Sequence, residues 1–582
     1  MQIRNKTLRL VLSAAVLTTV AYSVPASAAT YVVKNTNDSG LGSLRHRITM
    51  ANSNPGLDTI AFNIPGAGVH TIAIASALPA ITSPVIIDGY SQPRSAANTL
   101  SDGDNAVLLI ELSGANAPPG TIALSIIAGR SVVRGLVINR FGPRPPFFGY
   151  GIGIFISGKG GNTVEGCFIG TNPSGSLASP NEYGLLIAGS PNNMVGGATV
   201  GSRNVISGNL QGGVRIADYF VRGSGNQIRG NYIGTASDGQ RAVGNDTGVL
   251  IEHGSNNIVG GTLAEERNII SGNSTGVLVY GDQSSVASGH KIQGNYIGAN
   301  VTGTQAIGNE IGIRMDSEGM NNMIGGTTVG ARNVISGNGS GILLSGSTVS
   351  KTRVKVQGNY IGADVTGTVA LGNTSFGIFV NTVSLNRIGG AEPGAGNLIA
   401  FNASGVYILG GASGDNSYGI SNAVLANSIH SNTFLGIDLN DFGPGANDEG
   451  DSDTGGNKRQ NYPGLYSAVS SSTGSSLAIR GLLRSAPSTA FRIEFFASPS
   501  CDPSGYGEGK TFLGARKVMT GPEGKTPFLA TLPTFVAAGQ VITATATDPD
   551  GNTSEFSACV PVTSAPSTTA VVARADSAGA NG

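Results

Sequence analysis

The sequence contains no tryptophan, and aromatic residues make up only 6% of its 582 residues. Large rings are a common means of stacking on sugars, so a sugar-binding surface here has to depend on a few Phe and Tyr side chains. Charged residues are also scarce, at 12%, with 35 basic and 35 acidic side chains. This balance argues against nucleic acid as a partner, because nucleic-acid-binding proteins carry a basic surface.

Cysteine is rare as well. The three cysteines and five scattered histidines show no spacing typical of a zinc site. Cys167 stands alone in the middle of the chain, where a small buried apolar side chain is a better interpretation than a nucleophile. Cys501 and Cys559 lie near the C-terminus, and an exported protein can join them in a disulfide.

Long apolar runs are confined to the N-terminus. No later segment has the ~18 uninterrupted apolar residues of a membrane span, so no transmembrane segment is predicted in the mature chain. The N-terminus has the pattern of a secretory signal peptide at 1–28, and a membrane anchor is the alternative. The signal consists of a positive region, the apolar segment 10–24 and a small-x-small cleavage site: Arg4, Lys6, Arg9 and Ala26-Ser27-Ala28. A signal peptide predicts a secreted or cell-surface protein.

Apolar residues at helical spacing are almost absent, and 89 glycines would destabilise helices. The sequence has an internal repeat instead. The segment "GCFIG" and three copies of "GNYIG" recur at steps of 64 residues, from Gly166, Gly230, Gly294 and Gly358. The Asn of "RNVI" and its variants keeps nearly the same period, at Asn204, Asn268, Asn333 and Asn397. A fixed long period is typical of a repeat architecture.

Each 64-residue unit contains two shorter rungs. A Gly-Φ-x-Φ motif, in which Φ is apolar, recurs at Gly153, Gly184, Gly213, Gly248, Gly276, Gly312, Gly341, Gly377, Gly405 and Gly436. Between these motifs an Asn-x-Φ-x-Gly pattern starts at Asn162, Asn192, Asn226 and Asn256. Short period-2 alternation that ends at Gly or Asn predicts short strands.

Stacked rungs of short strands predict an all-β fold, a right-handed parallel β-helix, because one rung alone cannot bury its apolar face. Ile206, Ile270 and Ile335 should then point inward at equivalent places. The repeated Asn residues should occupy the corners, where their side chains can form amide ladders. A β-propeller or an array of sandwiches is the alternative, but propeller blades usually carry aromatic motifs and periods near 40 residues.

A solenoid needs covered ends. The segment "GSLRHRITMAN" places Leu44, Ile48 and Ala51 at helical spacing and predicts a cap helix, with irregular first coils up to residue 150. Together with "VIIDGYSQP" and the "RNVISGN" and "GNYIG" rungs, it resembles exported bacterial right-handed β-helix proteins, which have the shape of the pectin-lyase-like superfamily. The resemblance covers residues 30–463. It implies the fold but little about function, because this fold hosts many roles.

The regular coils, 151–440, are followed by an acidic linker at 441–463. Its Asp448, Asp451 and Asp453 either bind Ca²⁺, which prefers oxygen ligands, or belong to a solvated linker without a metal. Residues 464–563 have alternating strands at sandwich-like spacing and resemble a bacterial immunoglobulin-like module. The composition of the tail, 564–582, predicts disorder.

The familiar enzymes of the pectin-lyase-like superfamily act on acidic polysaccharides. This chain has no Gly-His-Gly segment, which the hydrolases carry, and does not match the calcium cluster of the lyases. One candidate catalytic group remains if x of Gly-Φ-x-Φ points outward. Glu252 and Asp316 would then share a face two coils, or roughly 9–10 Å, apart, near the carboxylate gap of inverting glycosidases. Tyr280 would lie between them with Arg314 nearby; the alternative is a set of scattered surface charges.

The outward positions form a ladder in which apolar residues predominate. Its ten members are Phe155, Leu186, Arg215, Leu250, Leu278, Arg314, Leu343, Phe379, Tyr407 and Asp438. An exposed apolar stripe usually marks a partner or a covering segment. Leu343, Phe379 and Tyr407 are therefore candidate binding residues, and in the alternative they lie beneath long loops.

Two functions are expected. The first is an exported extracellular or cell-surface protein that binds glycans or adheres to cells without catalysis. The missing catalytic segments and the appended module favour it. The second is a polysaccharide lyase or glycoside hydrolase acting along the β-helix face, which the superfamily resemblance favours. The expected partner is a polysaccharide or a cell-surface glycan, and no cofactor other than Ca²⁺ is indicated.

Overall fold

The computed structural model describes residues 27–142, 150–218, 223–282, 285–317, 319–346, 352–411, 418–440 and 442–565. The predicted signal peptide lies outside these residues except for its last two positions. All but the first two residues of the predicted disordered tail also lie outside them.

Three long sheets, in which every strand pairs parallel to its neighbours, build most of the described chain. The first sheet has 13 described strands: Thr30–Val33, Asp58–Phe62, Val85–Asp88, Val132–Arg134, Thr163–Glu165, Met194–Gly196, Gln227–Arg229, Ile258–Gly260, Lys291–Gln293, Met323–Gly325, Lys355–Gln357, Arg387–Gly389 and Ala423–Leu425. The second has 12: His70–Ala73, Ile110–Ser113, Val137–Asn139, Phe168–Ile169, Val205–Ile206, Tyr232–Ile233, Ile269–Ile270, Tyr296–Ile297, Val334–Ile335, Tyr360–Ile361, Leu398–Ala400 and Ser428–His430.

The third sheet has 11 described strands: Ile122–Ile126, Ile152–Ser157, Tyr183–Ala188, Gly212–Ala217, Thr247–Glu252, Thr275–Gly281, Ile311–Ser317, Ser340–Ser345, Phe376–Asn381, Ser404–Leu409 and Ile437–Leu439. From Val85–Asp88 onward the chain visits the three sheets in turn, and one visit to each makes one coil. This is the arrangement of a parallel β-helix, as predicted. Short 3₁₀ turns lie at Gly89–Ser91, Val200–Ser202, Ala264–Glu266, Val329–Ala331 and Gly456–Arg459.

The inward residues stack from coil to coil. Ile206, Ile270 and Ile335 are fully buried, and they align through the intervening Ile233 and Ile297 of the second sheet. Their equivalent inward placement is confirmed. Stacked apolar rows of this kind give one continuous core that no single coil could form. Cys167 is also buried in this core, as expected, and burial raises the pKa of its thiol to about 12.

Asparagine ladders occupy all three corners of the coils. In each ladder the side-chain amide N–H of one Asn donates to the side-chain oxygen of the equivalent Asn one coil on, at 2.8–3.2 Å. Because every buried amide needs a partner, a repeated Asn fixes the corner and the register together. The first ladder, between the first and second sheets, is Asn204, Asn231, Asn268, Asn295, Asn333, Asn359, Asn397 and Asn427. The second, between the second and third sheets, is Asn181, Asn209, Asn245, Asn273, Asn309, Asn338, Asn373, Asn402 and Asn432.

The third ladder, at the corner before the first sheet, corrects the sequence interpretation at two places. It begins with Asn162, Asn193, Asn226 and Asn257. The pattern that starts at Asn192 and Asn256 is therefore one residue early in these two coils. Both positions read "NN", and the first Asn of each pair takes a left-handed backbone conformation (φ 57° and 56°) just before the ladder residue.

The N-terminal end is covered by the one described α-helix, Leu44–Ser53, whose Leu44, Ile48 and Ala51 are buried as predicted. The Ser43 side chain caps it by accepting a hydrogen bond from the backbone N–H of His46. No helix among the described residues is long and apolar enough to cross a membrane.

The C-terminal domain is a sheet of seven described strands: Gly464–Ser470, Leu477–Arg484, Ala490–Ser498, Thr511–Met519, Lys525–Leu532, Val541–Thr547 and Val560–Ser564. Its pairing is antiparallel except between Gly464–Ser470 and Val560–Ser564, and its two edge strands approach each other, which makes it partly barrel-like. Cys501 and Cys559 form a disulfide with Cα atoms 5.9 Å apart.

This domain also covers the C-terminal end of the solenoid. Phe496 and Phe556 pack into the core of the last coils. The last coil has no next coil to accept hydrogen bonds from its ladder amide and backbone N–H groups. Three largely buried carboxylates of the C-terminal domain accept them instead. They are Glu494 with the N–H of Ala426 (2.7 Å), Glu555 with that of Leu439 (3.0 Å), and Glu508 with the amide of Asn432 (2.7 Å). Glu508 thus terminates the second asparagine ladder.

Candidate functional site

The outward ladder of the third sheet lies as the Gly-Φ-x-Φ spacing predicts. Its ten residues pair in register from Phe155 to Asp438. The apolar members are only half-exposed or buried, so this face is not an open hydrophobic stripe. Leu343 is half-buried between Arg314 and Phe379.

The four candidate catalytic residues come together. Tyr280 pairs with Glu252 on one side and with Asp316 on the other, which puts the two carboxylates two coils apart on one face. Arg314 lies on the same strand as Asp316, and its guanidinium is 2.8 Å from that carboxylate. The ring of His253 contacts Tyr280 edge to face, with centroids 5.5 Å apart.

Each of these carboxylates is held by an arginine. Arg215 donates from Nε and Nη2 to Glu252 Oε2, at 2.9 and 2.7 Å, and Arg314 holds Asp316. Both carboxylates are thus engaged by a protein cation, whereas catalysis needs groups that act as acid and base on the substrate. The arrangement can position an anionic or hydroxyl-rich ligand.

Aromatic side chains form a stack where the ladder approaches the C-terminal end. The ring centroids of Phe376 and Phe379 are 5.0 Å apart, and each lies 5.2–5.4 Å from that of Tyr407. Phe442 then stacks on Tyr407, with centroids 5.4 Å apart and ring planes within 11°. The Tyr407 hydroxyl donates to the carbonyl of Asn440 at 2.9 Å, which fixes its ring.

Stacking determines which ring can meet a ligand. Tyr407 has Phe376 and Phe442 stacked on it and is only 6% exposed, so little of its face is open. Phe442 ends the stack and is 81% exposed. A sugar packs its C–H groups on a ring face rather than an edge. Within this stack the open aromatic face therefore belongs to Phe442, and sugar contact by Phe379 and Tyr407 stays a prediction.

Two clefts adjoin Phe442. One, of about 430 Å³, is mainly apolar and is lined by Phe434, Leu435, Pro444 and Pro503 besides Phe442. The other, of about 380 Å³, is more polar and is lined by Asn447, Arg459, Gln460, Tyr462 and Glu555. Both volumes are within the range of ligand pockets. Both clefts lie between the end of the solenoid and the C-terminal domain.

The polar cleft is built rigidly. Asn447 and Tyr462 exchange two hydrogen bonds, of 2.8 and 3.0 Å, between side-chain amide and backbone. The Tyr462 hydroxyl donates to the carbonyl of Gly445, whose N–H donates to Glu555. These bonds hold the loop that carries Phe442 against the C-terminal domain.

The acidic linker residues bind protein groups. Asp448 Oδ2 accepts hydrogen bonds from the backbone N–H and hydroxyl of Ser452. Asp451 accepts from the Gln460 amide, the Asn461 N–H and the Ser485 hydroxyl, and burial raises its pKa to about 6. In the described part of the chain no three His, Cys, Asp or Glu side chains are grouped as a metal site would require. Calcium binding by Asp448, Asp451 and Asp453 stays a prediction.

No protein-family model fits the chain, and no curated protein sequence matches it.

Sequence reasoning missed Phe442 as a candidate. It lies six residues after Gly436, the last Gly-Φ-x-Φ motif, so no repeat predicts its place. The available signal was an aromatic residue just past the end of a ladder whose last three members are Phe379, Tyr407 and Asp438. Its exposure depends on the stacking of Tyr407 beneath it, which the sequence pattern does not show.

Proposed function

We propose that this chain is an exported, right-handed parallel β-helix protein that binds a glycan at Phe442 and does not cleave it. The observation that carries the proposal is the open ring of Phe442, set between an apolar and a polar cleft at the end of a stack of three further rings. A rigid aromatic face beside hydrogen-bonding groups suits a pyranose, which has an apolar face and a polar rim.

Rigidity adds to the affinity of such a site. The Phe442 ring is supported by Tyr407, which is itself held by Asn440, and the loop from Gly443 to Asn447 is tied to the C-terminal domain. A site that is ordered before binding loses less conformational entropy when the ligand arrives.

The proposal includes finer assignments that rest on sequence. The signal-like N-terminus supports export, with the protein secreted or held at the cell surface. The repeat motifs support a relationship in shape to the pectin-lyase-like superfamily, and the strand spacing of residues 464–563 supports an immunoglobulin-like module. In this proposal the module completes the glycan site, because Pro503 and Glu555 line the clefts.

A polysaccharide lyase or glycoside hydrolase is the second candidate. The register that sets Tyr280 between Glu252 and Asp316 favours it. The ion pairs of both carboxylates with arginine weigh against it, because both carboxylates are already engaged by protein cations.

The test is a panel of immobilised neutral and acidic polysaccharides on which retention and released sugar are measured together. We expect retention on at least one polymer without release. Phe442→Ala should weaken that retention about tenfold, as truncation of a central aromatic contact does. Phe535→Ala is the matched control, because Phe535 is an exposed Phe (56%) of the C-terminal domain outside the clefts.

Retention on no polymer, or equal retention of Phe442→Ala and wild type, would overturn the assignment of the site. Release of sugar that depends on Glu252 and Asp316 would establish the second candidate instead.

A further inference from the structure

The outer face of the first sheet carries a row of basic side chains. Lys291, Met323, Lys355 and Arg387 occupy the same outward position in four successive coils. Neighbouring coils are ~4.8 Å apart, so the two lysines are roughly 10 Å apart. Lys291 and Lys355 are exposed, as is Arg353, which precedes Lys355 by two residues. We call Lys291, Arg353, Lys355 and Arg387 the basic face.

The charges of the basic face are mostly uncompensated. Earlier on the same sheet, Arg134 is paired with Asp88 at 2.9 Å and Arg229 with Glu266. Arg387 likewise pairs with Glu392.

Lys291, Arg353 and Lys355, in contrast, form no ion pair with a described residue. Glu392 interacts with Lys355 as well as with Arg387. Even with Glu392 and the exposed Glu265, the four cations outnumber these two carboxylates. The whole chain has no net charge, so this excess of positive charge is confined to the basic face.

The coils that carry Lys291 and Lys355 also depart from the repeat at the corner before the first sheet. The third asparagine ladder has His290 in place of Asn immediately before Lys291, and Val354 immediately before Lys355. In the coils before them the ladder residues Asn226 and Asn257 precede the uncharged Gln227 and Ile258. Positions that depart from a protein's repeat pattern are often functional sites. The coincidence of ladder breaks and outward lysines therefore marks these coils as specialised.

Exposed apolar side chains flank the basic face on both margins. Val286 and Met320, in the turns before Lys291 and Met323, are 40% and 49% exposed. Leu263 and Val329, in the turns that follow the neighbouring strands of the first sheet, are 56% and 76% exposed. Exposed apolar groups near a charged patch are typical of an interaction surface.

We propose that the basic face docks on an anionic lipid surface. Lysine and arginine attract acidic headgroups, and the flanking apolar side chains enter the boundary between headgroups and acyl chains. A soluble polyanion would use the cations but would gain nothing from apolar margins, so the combination favours a lipid bilayer. The basic face belongs to the first sheet and Phe442 follows the third, so the proposed glycan site stays free while the protein is docked.

The experiment is sedimentation of the purified protein with vesicles of phosphatidylcholine alone or with a quarter of phosphatidylglycerol. We expect binding to the acidic vesicles only, weakened by salt. Lys291→Ala with Lys355→Ala should weaken it about thirtyfold, since each lysine near an acidic surface contributes about a factor of five. Leu263→Ser with Val329→Ser should also weaken it at constant charge.

Arg516→Ala with Lys517→Ala is the matched control, because it removes two exposed charges from the C-terminal domain and should leave binding unchanged. An unchanged circular dichroism melt shows that each variant is folded.

No binding to acidic vesicles, equal binding to both vesicles, or no effect of the two lysine changes would overturn the proposal. Polygalacturonate and single-stranded DNA form a further arm. Binding to either polymer that depends on Lys291 and Lys355, without vesicle binding, would assign the face to a soluble polyanion instead.

Discussion

Asn257 and His290 meet at the corner before the first sheet, where the backbone N–H of Asn257 donates to His290 Nδ1 at 3.2 Å. The side-chain amide nitrogen of Asn257 is buried with no hydrogen-bond partner among the described residues. In the coils before them the corresponding amides of Asn162, Asn193 and Asn226 are paired. A buried unpaired amide costs about 1–3 kcal/mol.

His290→Asn should therefore stabilise the protein by about 1–2 kcal/mol, because Asn restores an acceptor for Asn257. Denaturant unfolding monitored by circular dichroism measures this. Asn268→His is the control, since it breaks an intact ladder and should destabilise. A His290→Asn variant less stable than wild type would show that the imidazole packs better than the ladder amide.

The buried carboxyl of Glu508 predicts a pH-dependent junction between the two domains. Burial raises its pKa from 4.5 to about 7, against the opposing hydrogen bonds from Asn432. The folded state thus binds the proton more tightly than the unfolded state. Protonated Glu508 therefore stabilises the folded state. This contribution is complete below pH 4.5 and is lost as the pH rises through about 7.

Glu508→Gln mimics the protonated side chain at every pH. The variant should match wild type near pH 5 and exceed it near pH 8 by as much as about 3 kcal/mol. The contributions of Asp104, Asp451, His290 and His430, whose pKa values are also shifted, cancel in the comparison. Parallel stability curves for the two proteins across this pH range would contradict a protonated Glu508.

The aspartates of the acidic linker either bind Ca²⁺ or stabilise the linker through hydrogen bonds, and the two roles predict different melting temperatures in calcium and in chelator. If Asp448, Asp451 and Asp453 bind Ca²⁺, excess chelator should lower the melting temperature, because a ligand of the native state stabilises it. If Asp451 acts through its bonds to Gln460, Asn461 and Ser485, Asp451→Asn should lower it equally with calcium or chelator. Superimposable wild-type melting curves in calcium and in chelator would remove the calcium hypothesis.

The carboxylates of the third sheet provide a test of catalysis. For a protein that only binds glycans, Glu252→Gln with Asp316→Asn should leave retention on polysaccharide unchanged and should lose at most ~2 kcal/mol of stability from two partly exposed ion pairs. Asp238→Asn, which breaks the exposed pair with Arg241, is the control. Sugar release by wild type that disappears in the double variant would show that the protein is an enzyme.

The repeat explains why so much of the solenoid is predictable from sequence. Ile206, Ile270 and Ile335 recur because each coil must present the same inward side chain to the next. The error at Asn192 and Asn256 arose where two adjacent Asn residues fit the pattern equally well. The pairings of Thr163 with Met194 and of Gln227 with Ile258 decide between them.

What the sequence could not predict depends on non-repeating contacts. Glu494, Glu508 and Glu555 lie on the C-terminal domain, and only its docking brings them to the last coil. In the sequence nothing distinguishes Phe442 from other linker residues, and its position as an open ring depends on stacking against Tyr407. Such contacts occur once, between segments far apart in the chain, so no periodicity reports them.

The most direct test of the account is a calorimetric titration of wild type and Phe442→Ala with an oligosaccharide cut from a polymer that retains the protein. Wild type should bind with a negative heat-capacity change, because the sugar buries the apolar face of Phe442. Phe442→Ala should bind at least about tenfold more weakly. Equal dissociation constants for the two proteins would contradict the central claim that Phe442 is the sugar contact.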